Sequence, residues 1–183
     1  MIPDFPRYGA PAVALHWVMA LLILGNLGFG LYLVDLPLSP AKLRYFSWHK
    51  WVGVTVFALA AARLAWRLGH PPPPLPRSLA GWETRLARIG HGLLYVLFFA
   101  VPLSGWLYSS AAGFQTVYLG VLPIPDLLEK NRELAETIRP VHRWLNYALM
   151  GVVTGHVAAA LKHHFIDRND VLARMLPFLG PRP

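Results

Sequence analysis

Apolar residues run almost unbroken through four stretches of the 183-residue chain: Ala10 to Val34, Tyr45 to Leu68, Ile89 to Ala111 and Val141 to Phe165. Each exceeds the roughly 20 residues that carry a helix, at about 1.5 Å per residue, across a bilayer core. A helix satisfies its own backbone hydrogen bonds in lipid, so the pattern predicts an all-α protein built as a transmembrane four-helix bundle. The breaks between the stretches are polar or rich in proline. Pro37 and Pro40 prevent the first helix from running on, and Pro71 to Pro74 form a stiff extended spacer behind His70. Residues 125 to 139 (PDLLEKNRELAETIR) set leucines and an isoleucine near helical spacing among charges. That segment predicts a short amphipathic helix on the membrane surface. Pro140 then suits the first turn of the fourth spanning helix.

Composition sharpens this picture. With 55% hydrophobic and 14% charged residues and a mean hydropathy of +0.42, the chain is too apolar for a soluble domain of its length. The formal net charge of +8 would suggest nucleic acid on a soluble surface. Here the basic residues flank apolar stretches, so lipid head groups and topology account for them. Met1 to Tyr8 leads into an apolar segment too long for a signal-peptide core and is expected to be retained. Counting Lys and Arg near the helix ends puts ten with the termini and the second loop and seven on the other side. The positive-inside rule therefore predicts both termini in the cytoplasm and the 125–139 helix on the opposite face.

Chemistry enters with four histidines inside the apolar stretches: His16, His49, His142 and His156. A ligating side chain at membrane depth is costly to keep and marks a functional site. The chain has no cysteine, which excludes disulfides, iron–sulfur clusters, thiolate sites and covalent c-type haem. Predicted depths pair His16 with His156 and His49 with His142. The 14 residues between His142 and His156 advance about 21 Å in close to four turns, so one helix presents both imidazoles along nearly one line. Two bis-histidine haems follow, each without an open iron position and so suited to carrying electrons. Polar glue between helices is the competing reading for any one histidine, but four at matching depths weigh against it. Zinc would need three or four ligands converging on one point. Gly53, Gly151 and Gly155, near the ligands, suit a flat macrocycle.

The remaining polar residues are assigned more loosely. His91, in the first turn of the third stretch, would contact a propionate or a ligand rather than replace His16 or His156. His163 lies two turns beyond His156 and is expected at the mouth of the inner site. Lys50, Arg139 and Arg143 flank the outer pair and could meet haem propionates or steer an anion, while Arg88, Lys162 and His163 could serve propionates or a quinone on the inner side. Tryptophan and tyrosine near segment ends, such as Trp17, Trp48, Trp66 and Trp144, read as interface belts.

Leu15-His16-Trp17, the WHKWVG segment around His49, GHGLLYVLFFAVPLSG from Gly90 to Gly105, the His142 to His156 interval and the tail HVAAALKHHFIDRNDVLARML from His156 resemble the bacterial cytochrome b561 proteins. The likeness runs over nearly the whole chain and implies one membrane domain, residues 1–183, with two stacked haem b sites in the bacterial inner membrane. It implies His16 and His156 on the cytoplasmic-side haem, His49 and His142 on the periplasmic-side haem, and no ligating role for His91. It also implies ubiquinone as acceptor and superoxide as a candidate donor; the alternative reading of the chain is an electron-transfer subunit that couples a separate redox enzyme to the quinone pool. Arg143 departs from the acidic residue that related sequences often carry there.

Overall fold

The computed structural model describes residues 7–76, 78–176 and 178–179. Met1 to Pro6, Arg77 and Arg182, used above for the retained N-terminus and the charge balance, lie outside the described residues. Four long helices dominate: α1 (Ala10–Asp35), α2 (Pro40–Gly69), α3 (Gly81–Ala111) and α4 (Arg132–Phe165). Each is long and apolar enough to cross a membrane. α1 ends at Asp35, and Ser39 caps α2 by accepting from Lys42 N at 3.2 Å. Pro40 follows at the first helical position, where its fixed φ and missing N–H do no harm. α3 starts eight residues before the apolar stretch, at Gly81 rather than Ile89, because Glu83 turns back to accept the Ala80 N–H at 3.0 Å. Polar helical turns thus extend beyond the span itself.

Two features of the α3–α4 connection depart from the sequence reading. Thr116–Tyr118 (β1) and Leu122–Ile124 (β2) pair antiparallel, Val117 opposite Pro123, across a tight turn with Gly120 at φ 76°. The hairpin lies along α2: Trp51 Nε1 donates to Val117 O at 2.6 Å, and Thr55 Oγ1 meets Tyr118 Oη at 2.9 Å. The amphipathic helix expected over 125–139 is not formed as a separate element. Residues 125 to 131 are non-helical, and residues 132 to 139 open α4. The reason is competition for backbone groups. Leu127 N donates to Ser110 Oγ at 3.2 Å, Asn131 N to Ala111 O at 2.8 Å, and Trp106 Nε1 to Pro125 O at 3.0 Å, so the end of α3 holds this segment extended. Asn131 then caps α4, its Oδ1 accepting from Leu134 N at 3.0 Å. Pro140 sits inside α4, removing one backbone bond without ending the helix.

At mid-depth the core is an apolar layer of Met19, Ile23, Val56, Ala60, Leu94, Leu97 and Leu149, with contributions from all four helices. α1 packs on α2, α2 on α3 and α3 on α4, and α4 approaches α3 more closely than it approaches α1 or α2. The segment after α4 folds back in turns over the end of the bundle that carries the termini. Trp17 Nε1 donates to Met175 O at 2.7 Å, and the Arg174 guanidinium donates to Pro74 O in the proline spacer. Asn131→Ala removes the α4 cap and is expected to cost about 1 kcal/mol. Hydrogen exchange should show faster amide exchange at Arg132 to Leu134, with the α4 interior unchanged.

Candidate functional site

The four membrane histidines fall into two groups, one beside the hairpin and one at the end that carries the termini. At the hairpin end, His49 on α2 faces His142 on α4, with ring centres 6.5 Å apart and planes at 86°. α3 positions His142. Its Nδ1 lies 3.1 Å from Val101 O and 2.9 Å from Ser104 Oγ, whose own hydrogen goes to Val101 O at 2.8 Å. Nδ1 therefore carries the ring hydrogen, and Nε2 keeps a lone pair for a metal. Gly105 makes the approach possible, since a Cβ there would stand 3.0 Å from His142 Cε1. Gly30 on α1 does the same for His49, again at 3.0 Å from Cε1. One turn earlier, Asn26 Nδ2 donates to His49 O at 3.3 Å, while Asn26 Oδ1 and His49 Nδ1 are buried without a partner.

At the terminal end, His16 on α1 faces His156 on α4 with ring centres 6.2 Å apart and planes at 59°. His91 on α3 also stands against His156, with ring centres 5.4 Å apart. Arg63 on α2 reaches into this group, its Nη1 3.1 Å from His16 Nδ1. One turn on, the Arg67 guanidinium lies 5.8 Å from the Tyr95 ring centre.

These pairs fit bis-imidazole ligation. With metal–nitrogen bonds of about 2.0–2.1 Å, two imidazoles on opposite sides of one metal ion have ring centres about 6.3 Å apart. Both pairs bridge helices that do not pack closely, α1 to α4 and α2 to α4, which leaves width for a flat macrocycle. A Cβ at Gly53, Gly151 or Gly155 would meet nothing within 4 Å, so these glycines border open space rather than a tight helix contact. Among the described residues, only Glu83, His163 and Asp167 bring three ligand atoms within 4.8 Å of one another. Neither histidine group is therefore a convergent site of the kind zinc takes.

The cations assigned from sequence are distributed differently. Lys50 Nζ donates to Ser109 Oγ, Phe114 O and Gln115 O at 3.0 to 3.2 Å, holding the turn before the hairpin. Arg139 pairs with Glu136 at 2.9 Å on the surface, and Arg143 stands exposed beside His142. Lys162 bridges Glu83 and Asp167, at 2.7 Å to each, and His163 Nδ1 meets Asp167 Oδ2 at 2.6 Å. Lys162 and His163 thus form a clasp between α3, α4 and the tail. Arg88 lines a cavity of about 700 Å³ with Arg67, His91, Tyr95 and the proline spacer. Sequence reasoning missed Arg63, Asn26 and Ser104. A lone arginine near the end of the second apolar stretch reads as a topology charge, and nothing in one sequence pairs Ser104 with a histidine on another helix.

A multi-pass bundle with two cross-helix histidine pairs at opposite ends has the architecture of a membrane b-type cytochrome. Residues 7–178 match the prokaryotic cytochrome b561 family. Cytochrome b561 homolog 2 of Escherichia coli K12 is 35% identical over 93% of this chain and 91% of its own length. The probable superoxide oxidase CybB of Yersinia pestis is 26% identical (93% and 96%), and cytochrome b561 homolog 1 of Escherichia coli K12 is 27% identical (93% and 97%). The chain belongs to the prokaryotic cytochrome b561 family: it is a bacterial multi-pass membrane protein of electron transfer, from a family of b-type haem proteins.

The Lys162 hydrogen bond, and then His163, hold the Asp167 carboxyl below its ordinary value of 3.8. A lowered carboxylate contributes stability above its unfolded value and loses it as pH falls through the folded one. Protection of the tail amides should therefore be flat down to about pH 4 and fall below it. In Asp167→Asn, hydrogen exchange should find the tail loosened already at pH 7 and this acid step gone.

Proposed function

We propose that this chain is a di-haem b oxidoreductase that relays single electrons between a periplasmic donor, with superoxide the leading candidate, and ubiquinone. The observation that carries the reading is the pair of histidine couples at metal-bridging separation, His49 with His142 and His16 with His156, one at each end of the bundle. His49 with His142, and His16 with His156, would each hold a haem through both imidazoles, and the bound group would supply one-electron transfer. The protein's part is to hold the imidazoles and exclude water. Ser104 and Val101 fix the His142 tautomer, Gly30 and Gly105 admit the rings, and the mid-bundle apolar layer separates the couples.

The charge balance supports placing the terminal end in the cytoplasm and the hairpin end in the periplasm of an inner-membrane protein. Superoxide oxidation needs no base, only an electron path and a cationic approach, for which Arg143 is placed beside His142. At the other end, the 700 Å³ cavity beside His91 has the size of a small-molecule site and opens among Arg67, Arg88, Tyr95 and the prolines. That supports a quinone ring as the acceptor there, with Tyr95 and His91 as hydrogen-bond donors. The Yersinia relative's name, probable superoxide oxidase, supports the donor.

Purified protein should show a Soret band with two haems per chain. His16→Ala or His156→Ala should remove one, and His49→Ala or His142→Ala the other. A colourless preparation would sink the proposal. Superoxide should reduce the haems, and a short-chain ubiquinone should reoxidise them, faster than spontaneous dismutation consumes the superoxide. Arg143→Glu should slow the superoxide step several-fold at low salt and much less at high salt, because exposed charges are screened. Two haems with no reduction by superoxide above background would point instead to a subunit that passes electrons for a separate enzyme.

A further inference from the structure

We propose that the β1–β2 hairpin is a lipid-contacting element, seated in the boundary layer of the leaflet at its end of the bundle, with Leu119, Val121 and Leu122 among the acyl chains. The level at which it is held comes first. Val117 O accepts from Trp51 Nε1 at 2.6 Å, and Tyr118 Oη meets Thr55 Oγ1 at 2.9 Å. Trp51 comes before Val56 and Ala60, the α2 residues of the mid-depth apolar layer. At about 1.5 Å per residue it stands roughly 7 to 14 Å from them along α2. Half of a bilayer's hydrocarbon thickness is about 15 Å. The side chains that hold β1 therefore leave α2 within the apolar span and not from the loop before it.

The residues of the hairpin agree with that level. From Phe114 to Pro125 the chain has no Asp, Glu, Lys or Arg, and charge returns only at Asp126. Phe114, Leu119, Val121 and Leu122 are all well exposed, Val121 at 80%. A contiguous apolar surface of this kind marks contact with a partner or a membrane. The turn adds a separate indication. Leu119 has φ 52° and Gly120 φ 76°. Ahead of a glycine, such a left-handed position ordinarily takes Asn or Asp, whose short polar side chains bond locally and suit water. Leucine carries the strain without that bond and presents an apolar side chain, which apolar surroundings accommodate and water does not.

A hairpin at this level must also settle its backbone, because an unpaired N–H is costly beside hydrocarbon. Val117 stands opposite Pro123. Proline has no N–H, so this pair turns its backbone groups outward. Val117 O is met by Trp51, and the outward position on β2 presents no donor. At the tip, Gly120 N and Val121 N donate to Val117 O and Tyr118 O, both at 3.1 Å. The hairpin packs on α2 and touches α3, so it continues the lipid-facing surface of two spanning helices. That continuity, together with the lack of charge, favours lipid over a soluble partner. Lys50 and Trp51 directly follow His49 and both bind this segment. The level of the hairpin in the lipid is thus tied to the level of the His49 ring.

The chain contains no cysteine, so single cysteines can carry a nitroxide in the holoprotein. The sites are Val121→Cys, Leu122→Cys, Val96→Cys on the exposed side of α3, and Glu129→Cys beyond the hairpin. Each variant is placed in vesicles of phosphatidylethanolamine and phosphatidylglycerol. Collisions with oxygen, which concentrates among acyl chains, are compared with collisions with a water-soluble nickel chelate. Positions 121 and 122 should favour oxygen several-fold, as position 96 does, and position 129 should favour nickel. Nickel access at 121 and 122 equal to that at 129 overturns the proposal. Low access to both reagents overturns it too, since protein would then cover the tip. Deuterium exchange of the unlabelled wild type in the same vesicles needs no substitution. A hairpin of three-residue strands is marginal in water, so residues 114 to 125 should exchange as slowly as the spans, and Leu128 to Lys130 quickly. Rapid exchange throughout 114 to 125 would place the hairpin in water and end the proposal.

Discussion

α4 packs more closely against α3 than against α1 or α2, and the space this leaves beside α1 and α2 is crossed by imidazole rings at two depths. The rest of the bundle is arranged around that slot. Membrane helices associate through close packing and polar contacts rather than the hydrophobic effect, so a helix with one close neighbour draws little from its surroundings unless something fills the gap. Among the described residues the buried apolar side chains are correspondingly few, and most of them form the layer around Met19, Ile23, Ala60 and Leu149. In a family of b-type haem proteins, a cofactor in such a slot is as much a part of the core as the leucines are, and its binding free energy counts toward folding. This is why glycine matters at Gly30 and Gly105: each yields a Cβ's worth of room to a histidine ring rather than to another helix.

The two ends of the bundle are finished by different means. At the hairpin end the polar groups are mostly backbone carbonyls and short side chains, tied down by Lys50, Trp51 and Trp106. At the terminal end they are long cationic side chains, with Lys162 holding two carboxylates and Arg63 standing at a ring nitrogen. Surface ion pairs contribute little singly, but a cation linking acids from α3 and the tail fixes register between segments far apart in sequence.

Much of this was legible in the pattern of residues. Four apolar stretches place four helices because lipid leaves a chain few other choices. The 14-residue interval between His142 and His156 puts two rings on one line because helix geometry is regular. The failures came where regularity ends. The 125–139 segment has helical periodicity, yet Ser110 and Ala111 at the end of α3 capture the backbone of its first half, a contact that amphipathic spacing cannot reveal. Lys162 and His163 were assigned to the inner site, but Lys162 Nζ donates to Glu83 and Asp167 and His163 Nδ1 meets Asp167, one acid from the start of α3 and one from the turn after α4. Arg63 carries no sequence signal that ties it to a histidine, and only the packing of α1 on α2 brings it to His16.

The tail that follows α4 also fixes an order of events. Met175 O receives Trp17 from α1, and Arg174 fastens the proline spacer between α2 and α3, so parts of the chain 158 and 100 residues apart are joined across one end of the bundle. None of these contacts can form until all four helices are in the membrane. As the chain is made from its N-terminus, the hairpin-end couple has its supporting residues as soon as α4 inserts. The contacts that tie the terminal end together are therefore the last that the chain can complete.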